Sequence, residues 1–308
     1  MAHDHAREAA TPSGIGVAFK WAVALNVSYV AVEATVGFAI GSLALLADAA
    51  HNLTDVAGLL IAWGATVAAQ RPPTARFSYG LGRSTILAAL ANAIAILVGV
   101  GAVVWDAIGR LSVPVEVPGL PVLLTAAGGI GVNAGTAVLF AKSRRHDLNA
   151  EGAFLHMAAD AAVSAGVVLA ALAMLITGWA WLDPLAAILV SGVVAWTAFG
   201  LFKSSLGLSL DAVPASVNQA ELRRWLADQP GVADVHDLHV WALSTTQTAL
   251  TAHLVMPGGH PGDAFLDRLA DALDERFGIG HAALQIELGN GPECRLARSQ
   301  PFDDRSTT

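Results

Sequence analysis

Residues 85–109 read TILAALANAIAILVGVGAVVWDAIG, and Asp106 is the one ionisable side chain among them. A bilayer core about 30 Å thick is crossed by roughly 20 apolar residues in a helix. This stretch is long enough to span it and too apolar to be left in water. Five more segments share that character: Ile15–Ile40, Leu43–Ala69, Gly119–Ala141, Gly152–Thr177 and Leu182–Phe202. The breaks between them have physical causes. Gly41-Ser42 suits a tight turn. Pro72-Pro73 cannot continue a helix, and Pro114, Pro118 and Pro121 punctuate the third connection. Asp183-Pro184 reads as a capping carboxylate followed by a proline at the first helical position of the sixth helix. The whole chain fits this picture. Of 308 residues, 55% are hydrophobic and 14% charged, against about a quarter charged in a soluble chain. That excludes a disordered protein and argues against an ordinary soluble enzyme. The net charge of −8 points away from nucleic acid. The single cysteine, Cys294, excludes a disulfide framework and a thiolate cluster, so metal chemistry is expected from imidazole and carboxylate.

Basic residues predict the orientation. Arg7, Lys20, Arg71, Arg76, Arg83, Lys142, Arg144, Arg145 and Lys203 fall on one side of the six spans, and Arg110 alone on the other. Positive charge stays inside, so both termini are expected in the cytosol. After Phe202 the composition turns mixed. Ser216 to Gln219 reads as a capping box opening a helix. Asp237–Leu243 and Thr248–Met256 alternate like strands, Pro261–Phe277 has helical periodicity, and Ala283–Leu288 alternates again. The order α-β-β-α-β predicts a small α+β domain with helices on one face of a sheet. The expected domains are a cytosolic tail at 1–14, a six-helix membrane domain at 15–207, a cytosolic domain at 208–290 and a loose tail at 291–308.

The second span carries LLADAAHNLTD and the fifth FLHMAADAAVS. Each contains His-x-x-x-Asp: His51 with Asp55, and His156 with Asp160. An i, i+4 spacing puts both side chains on one helical face. A carboxylate at mid-bilayer costs about 2.5–3.5 kcal/mol on insertion scales. Two copies of one costly pattern call for a common cause, and a divalent cation held between the helices supplies it. Two imidazoles and two carboxylates suit tetrahedral Zn²⁺, with Cd²⁺, Co²⁺ and Ni²⁺ as competitors. Asp48, one turn before His51, is placed to orient that imidazole or to line the route to it. Asn26, Glu33 and Asn133 read as hydrogen-bonding glue between helices. Ser164 is expected to bond back to its own helix.

The chain resembles the cation diffusion facilitators, a family of divalent-metal antiporters. The resemblance rests on ADAAHNLTD in the second span, RFSYGLGR after it, DLNAEGAFLHMAAD leading into the fifth, and VHDLHVW with LQIE in the tail domain. It implies that His51, Asp55, His156 and Asp160 form the transport site and that zinc is preferred. It also implies a homodimer and a cytosolic domain of ferredoxin-like fold. Two features of some relatives are missing: the loop RPPTARFSYG has neither His nor Asp, and the 4–5 loop has only His146. His3 and His5 read as inert tail residues.

The tail domain offers a second constellation. Strand alternation puts His239, His253 and Glu287 on the face not covered by helices, whereas the resemblance implies His236, His253 and Glu287 as regulatory ligands. Either first-strand histidine fits at this stage, and His281 is a weaker candidate. The function expected is Zn²⁺ export in exchange for H⁺ by alternating access, in a bacterial inner membrane, with no resident cofactor. The rivals are a membrane-tethered metal sensor and an intramembrane zinc hydrolase. A hydrolase needs an open coordination position, which four protein ligands do not leave, and no His-Glu-x-x-His is present.

Overall fold

The computed structural model describes residues 13–113, 115–141, 148–290 and 294, with side chains at those positions apart from 13–23, 54–63, 66, 139–141 and 148–158. His3, His5, His146 and the C-terminal tail other than Cys294 lie outside the described residues. By contacts the chain forms two compact units, one of Met1–Leu60 with Asn92–Gly200 and the other of Ile61–Ala91 with Leu201–Thr308.

Six long helices come first: α1 (Ser13–Ile40), α2 (Leu43–Ala69), α3 (Ser84–Ser112), α4 (Gly119–Ala141), α5 (Leu148–Thr177) and α6 (Leu182–Ser209). Their starts and stops follow the glycine and proline punctuation, except that α6 runs on past Phe202. Among the described residues, Ser84–Ser112, Gly119–Val138, Ala159–Thr177 and Leu182–Ser209 are long and apolar enough to cross a membrane, and Ala24–Ile40 is a shorter apolar helix. Burial is inverted relative to a water-soluble fold. Phe38, Trp105, Ile176 and Trp196 are 82–84% exposed, a surface that lipid tolerates and water does not. The interior is lined by alanine: Ala44, Ala107, Ala126, Ala171 and Ala187 are at most 1% exposed. Without a hydrophobic drive between helices in lipid, small residues that let backbones approach supply the packing.

In the first unit, Gly41 (φ +70°) makes the turn between α1 and α2, and Arg110 donates to its carbonyl. Asp183 does not cap its own helix as expected. Its carboxylate reaches across to the start of α2, accepting from Ser42 Oγ (2.5 Å), Leu43 N (2.7 Å) and Ala44 N (3.4 Å). The reason is local supply and demand. The first N–H groups of α2 are buried and have no partner within their helix, and a carboxylate at a helix N-terminus also meets the favourable end of its dipole. Between α1, α4 and α5 the critical residue is Gly129. A Cβ there would lie 2.4 Å from Tyr29 Oη and 3.1 Å from Ser164 Oγ, so only glycine admits both hydroxyls.

In the second unit the tail domain runs α7 (Gln219–Ala227), β1 (Asp234–Ala242), β2 (Thr248–Val255), α8 (Asp263–Phe277) and β3 (His281–Glu287), which is the α-β-β-α-β order of a ferredoxin-like half. The sheet order is β1-β2-β3, with β1–β2 antiparallel and β2–β3 parallel. Leu222, Leu226, Leu269 and Leu273 of the helices pack on Val235, Val240, Leu250 and Leu254 of the sheet. The capping box expected at Ser216 does not form. Ser216 sits in a turn closed by Val217 N to Pro214 O, and Asn218 caps α7 instead, accepting from Glu221 N at 3.1 Å. The β1–β2 hairpin tip rests on the start of α3. Thr245 N donates to Thr85 Oγ1 at 3.0 Å, and a Cβ on Gly82 would stand 2.7 Å from Leu243 O. Arg83 pairs with Asp211, and Tyr79 meets His281 edge-on at 5.4 Å.

Asp183→Ala would strip three buried donors of their acceptor. We expect a loss of about 2–4 kcal/mol, one to two buried donors' worth of desolvation, measured as a lowered unfolding temperature in detergent. Asp106→Ala, whose carboxylate pairs with Arg110 (3.0 Å) in a half-exposed position, should cost under about 1 kcal/mol.

Candidate metal sites

The membrane site begins with two helices. His51 Nε2 on α2 lies 3.3 Å from Asp160 Oδ1 on α5, with both side chains largely buried at 14% and 3% exposure. That separation is long for a charge-assisted hydrogen bond, which runs about 2.7–2.9 Å. It equals the edge of a tetrahedron, about 3.3 Å, made by bonds of about 2.0–2.1 Å to nitrogen and oxygen. Asp55 lies one turn further along α2 and His156 one turn earlier on α5; their side chains lie outside the described residues. His51 also lines a mostly apolar recess walled by Ala47, Gly99, Val103, Ser191 and Val194.

Asp48 is fully buried and joins the same two helices by another bond. Ser164 Oγ donates to Asp48 Oδ2 at 3.0 Å, rather than back to its own helix as expected. A buried carboxylate is the stronger acceptor, and the space over Gly129 lets the hydroxyl reach it. Asp48 Oδ1 makes no hydrogen bond among the described residues. Glu33, also fully buried, accepts from Tyr29 Oη at 2.8 Å within α1, and that hydroxyl lies 3.1 Å from Thr125 O on α4. Tyr29 thus reaches from α1 to α4, while Glu33 meets Asp48 and Asn52 of α2, in keeping with its reading as glue between helices. Asn133 is buried and makes no hydrogen bond among the described residues, which overturns its reading as glue.

The tail-domain site is assembled on the sheet face opposite the helices. Val235 and Leu238 are both buried although three residues apart, because the β1–β2 register shifts between His236 and His239. Asp237 absorbs the bulge at φ +50°. The bulge breaks the simple alternation. His236 and His239 both face outward, but His236 stands across from His253 while His239 stands across from Thr251. His239 is therefore corrected out of the cluster: its side chain is 54% exposed and pairs with Asp237 Oδ1 at 3.0 Å. His281 is likewise elsewhere, against Tyr79.

His236 Nε2 lies 3.3 Å from Glu287 Oε2 and His253 Nδ1 lies 2.9 Å from Glu287 Oε1. The opposite ring nitrogens face carboxylates, His236 Nδ1 at 3.6 Å from Asp234 and His253 Nε2 at 3.5 Å from Asp237. A carboxylate therefore stands beside each nitrogen of both rings, with Glu287 the nearer on the cluster side. Cys294 joins them: donor atoms of His236, His253, Glu287 and Cys294 all lie within 4.8 Å of one another. Imidazole and carboxylate are thus not the whole donor set. Nothing in the sequence pointed to Cys294, because its approach depends on the turn after β3.

The first of two family models, the cation efflux transmembrane domain, matches residues 20–208, and the cation efflux protein cytoplasmic domain matches 214–288. The chain belongs to the cation efflux family, the cation diffusion facilitators. The zinc transporter ZitB of Escherichia coli (strain K12) is 39% identical over 280 residues, covering 90% of this chain and 89% of that protein. The metal cation efflux system protein CzcD of Cupriavidus metallidurans is 35% identical over 288 residues, covering 93% and 89%. The cadmium, cobalt and zinc/H(+)-K(+) antiporter of Bacillus velezensis is 30% identical over 284 residues, covering 90% of each. For this cation diffusion facilitator, then, two separate groups of imidazole and carboxylate stand at hand, one among the membrane helices and one on the tail sheet.

Charge at the tail site favours cation binding. Burial pushes the Glu287 carboxyl up, but the Cys294 thiol, the His236 ring, the Gln285 amide and the His253 ring hold it below the ordinary carboxylate value. A depressed folded-state pKa contributes stability that is present above the unfolded pKa of about 4.3 and is lost as pH falls through the lower folded value. The stability difference between wild type and Glu287→Gln, read from metal-free denaturant unfolding, should persist down to pH 5. It should shrink below about pH 4. A difference that did not change between pH 5 and 3 would place the titrating group elsewhere.

Proposed function

We propose that this cation diffusion facilitator exports divalent metal, zinc foremost, in exchange for protons. It is a multi-pass membrane protein and a transporter rather than an enzyme. The observation that carries the proposal is the 3.3 Å approach of His51 Nε2 to Asp160 Oδ1 between two membrane helices. Asp55 and His156 complete an N2O2 set by the sequence pattern. The names of its relatives support the substrate: zinc for the Escherichia coli protein, cadmium, cobalt and zinc with H⁺ for the Bacillus velezensis one.

Metal binds from the cytosolic side with both imidazoles neutral and both aspartates ionised. Its charge is then balanced by the two carboxylates. On the outward side protons displace it, since ligand protonation and metal binding compete and imidazole switches near pH 6.5. Two protons per Zn²⁺ move no net charge. One proton per Zn²⁺ sends one positive charge outward against a potential worth about 2.3 kcal/mol per 100 mV. Small residues on α2 and α5 let these helices shift against their neighbours between the two states. Both termini face the cytosol of a bacterial inner membrane, by the bias of Lys and Arg. The tail domain pairs with that of a second copy, and its His236–His253–Glu287 face binds cytosolic metal and biases the transporter toward activity. That face also favours a second reading, a membrane-tethered sensor that moves nothing.

Reconstituted into proteoliposomes with an imposed pH gradient, the protein should accumulate Zn²⁺. Asp55→Ala or Asp160→Ala should abolish uptake while leaving the elution profile and helical content unchanged. Sealed vesicles whose internal zinc never rises would favour the sensor. His51→Asp, which trades a nitrogen donor for an oxygen, should move the zinc-to-cadmium transport ratio toward cadmium. An unmoved ratio would remove His51 from the ligand set.

A further inference from the structure

We infer that Cys294 is the fourth ligand of the metal bound on the tail-domain sheet, closing the His236–His253–Glu287 face into a tetrahedral N2OS site. The inference rests on the proposed reading of that face as a cytosolic metal site and adds to it the residue that completes the coordination.

The chain's path supports it. After β3 ends at Glu287, Gly289 adopts φ +67°, and a Cβ there would lie 3.0 Å from Val255 Cγ1. Val255 shares the outward side of β2 with His253, two residues away. Gly289 thus packs against the same outer face over which Cys294 stands. Cys294 Sγ then lies 3.5 Å from His253 Nδ1. Bonds of about 2.3 Å to sulfur and about 2.0–2.1 Å to nitrogen give a tetrahedral sulfur–nitrogen edge of about 3.6 Å. The His236 Nε2 to Glu287 Oε2 distance of 3.3 Å matches the corresponding nitrogen–oxygen edge of about 3.3 Å.

Hydrogen-bond geometry agrees. His236 Nε2 is buried and makes no hydrogen bond among the described residues, despite a carboxylate oxygen 3.3 Å away. The two atoms approach without aligning on each other, as donors that aim at a common third point do.

Charge and hardness set the consequence. A thiolate and a carboxylate neutralise a divalent cation, with two neutral imidazoles filling the tetrahedron. Binding releases the thiol proton to solvent. One soft sulfur donor favours Zn²⁺ and Cd²⁺ over harder cations. Four protein ligands leave no open position, so this is a holding site. It is softer than the N2O2 set in the membrane and retains metal at lower free concentrations than the site that carries it. It thereby senses cytosolic metal before transport is saturated.

Cys294 is the only cysteine in the chain, so any thiolate–metal signal belongs to it. Co²⁺ is titrated into the detergent-purified full-length Asp160→Ala protein, in which the membrane site is disabled. The expected result is a near-ultraviolet sulfur-to-cobalt charge-transfer band that grows to one equivalent per chain and is bleached by Zn²⁺. Adding Cys294→Ser should remove the band, leave the visible d–d absorption, and weaken binding by about 10-fold or more. Zn²⁺ should also slow maleimide alkylation of Cys294 in the otherwise wild-type chain. Co²⁺ absorption that depends on His253 but carries no charge-transfer band, with alkylation indifferent to Zn²⁺, would overturn the role of Cys294 and leave the three-residue site standing. No absorption that His253→Ala removes would overturn the site itself.

Discussion

The start of α2 is held by one carboxylate. Asp183 satisfies Ser42 Oγ and two backbone N–H groups where neither water nor the preceding turn could. A buried donor left without a partner costs about 1–3 kcal/mol, so this anchor fixes both the position and the direction of the helix. Everything that α2 carries inherits that placement. Asp48, His51 and Asn52 follow within its first three turns, and His51 meets Asp160 only because the helix enters where it does.

Polarity in such a domain is tolerated only in company. Asp48 and Glu33 are fully buried, yet each is met by a hydroxyl from Ser164 or Tyr29. Both hydroxyls crowd over Gly129. The glycine therefore serves the polar cluster rather than the backbone: it leaves the volume in which two side-chain donors can turn toward carboxylates. Alanine lining elsewhere has the same effect on a larger scale, bringing helices close enough that His51 on α2 stands 3.3 Å from Asp160 on α5. The tail domain solves the ligand problem differently, with a sheet whose rows of outward side chains are held at fixed spacing by backbone pairing.

Much of this is readable in the residues, and the failures are instructive. The six spans follow from apolar length and from Gly and Pro, because nothing but a helix satisfies its own backbone in lipid. The α-β-β-α-β order follows from periodicity. The His-x-x-x-Asp pair is visible because helical spacing is rigid. Asp183 was assigned to the wrong helix, since its type and position fit a local cap equally well and only packing decides between the two. Ser164 was misassigned for the same reason. Between the two first-strand histidines the sequence left the choice open: alternation favoured His239 and cannot anticipate the bulge at Asp237, which sets His236 across from His253. Cys294 lies beyond the last strand, where no periodicity exists to read.

The bulge has a consequence beyond the histidines. β1 is an outermost strand of its sheet, and outermost strands offer unpaired amides and carbonyls to any neighbouring chain. A kink at a left-handed Asp237 spoils that template midway along its length, and the flanking acidic residues Asp234 and Asp237 add like-charge repulsion. Continuation of the sheet into a neighbouring chain along that edge is thereby discouraged. The acidic, kinked half of β1 is thus a poor strand for another chain to lie against.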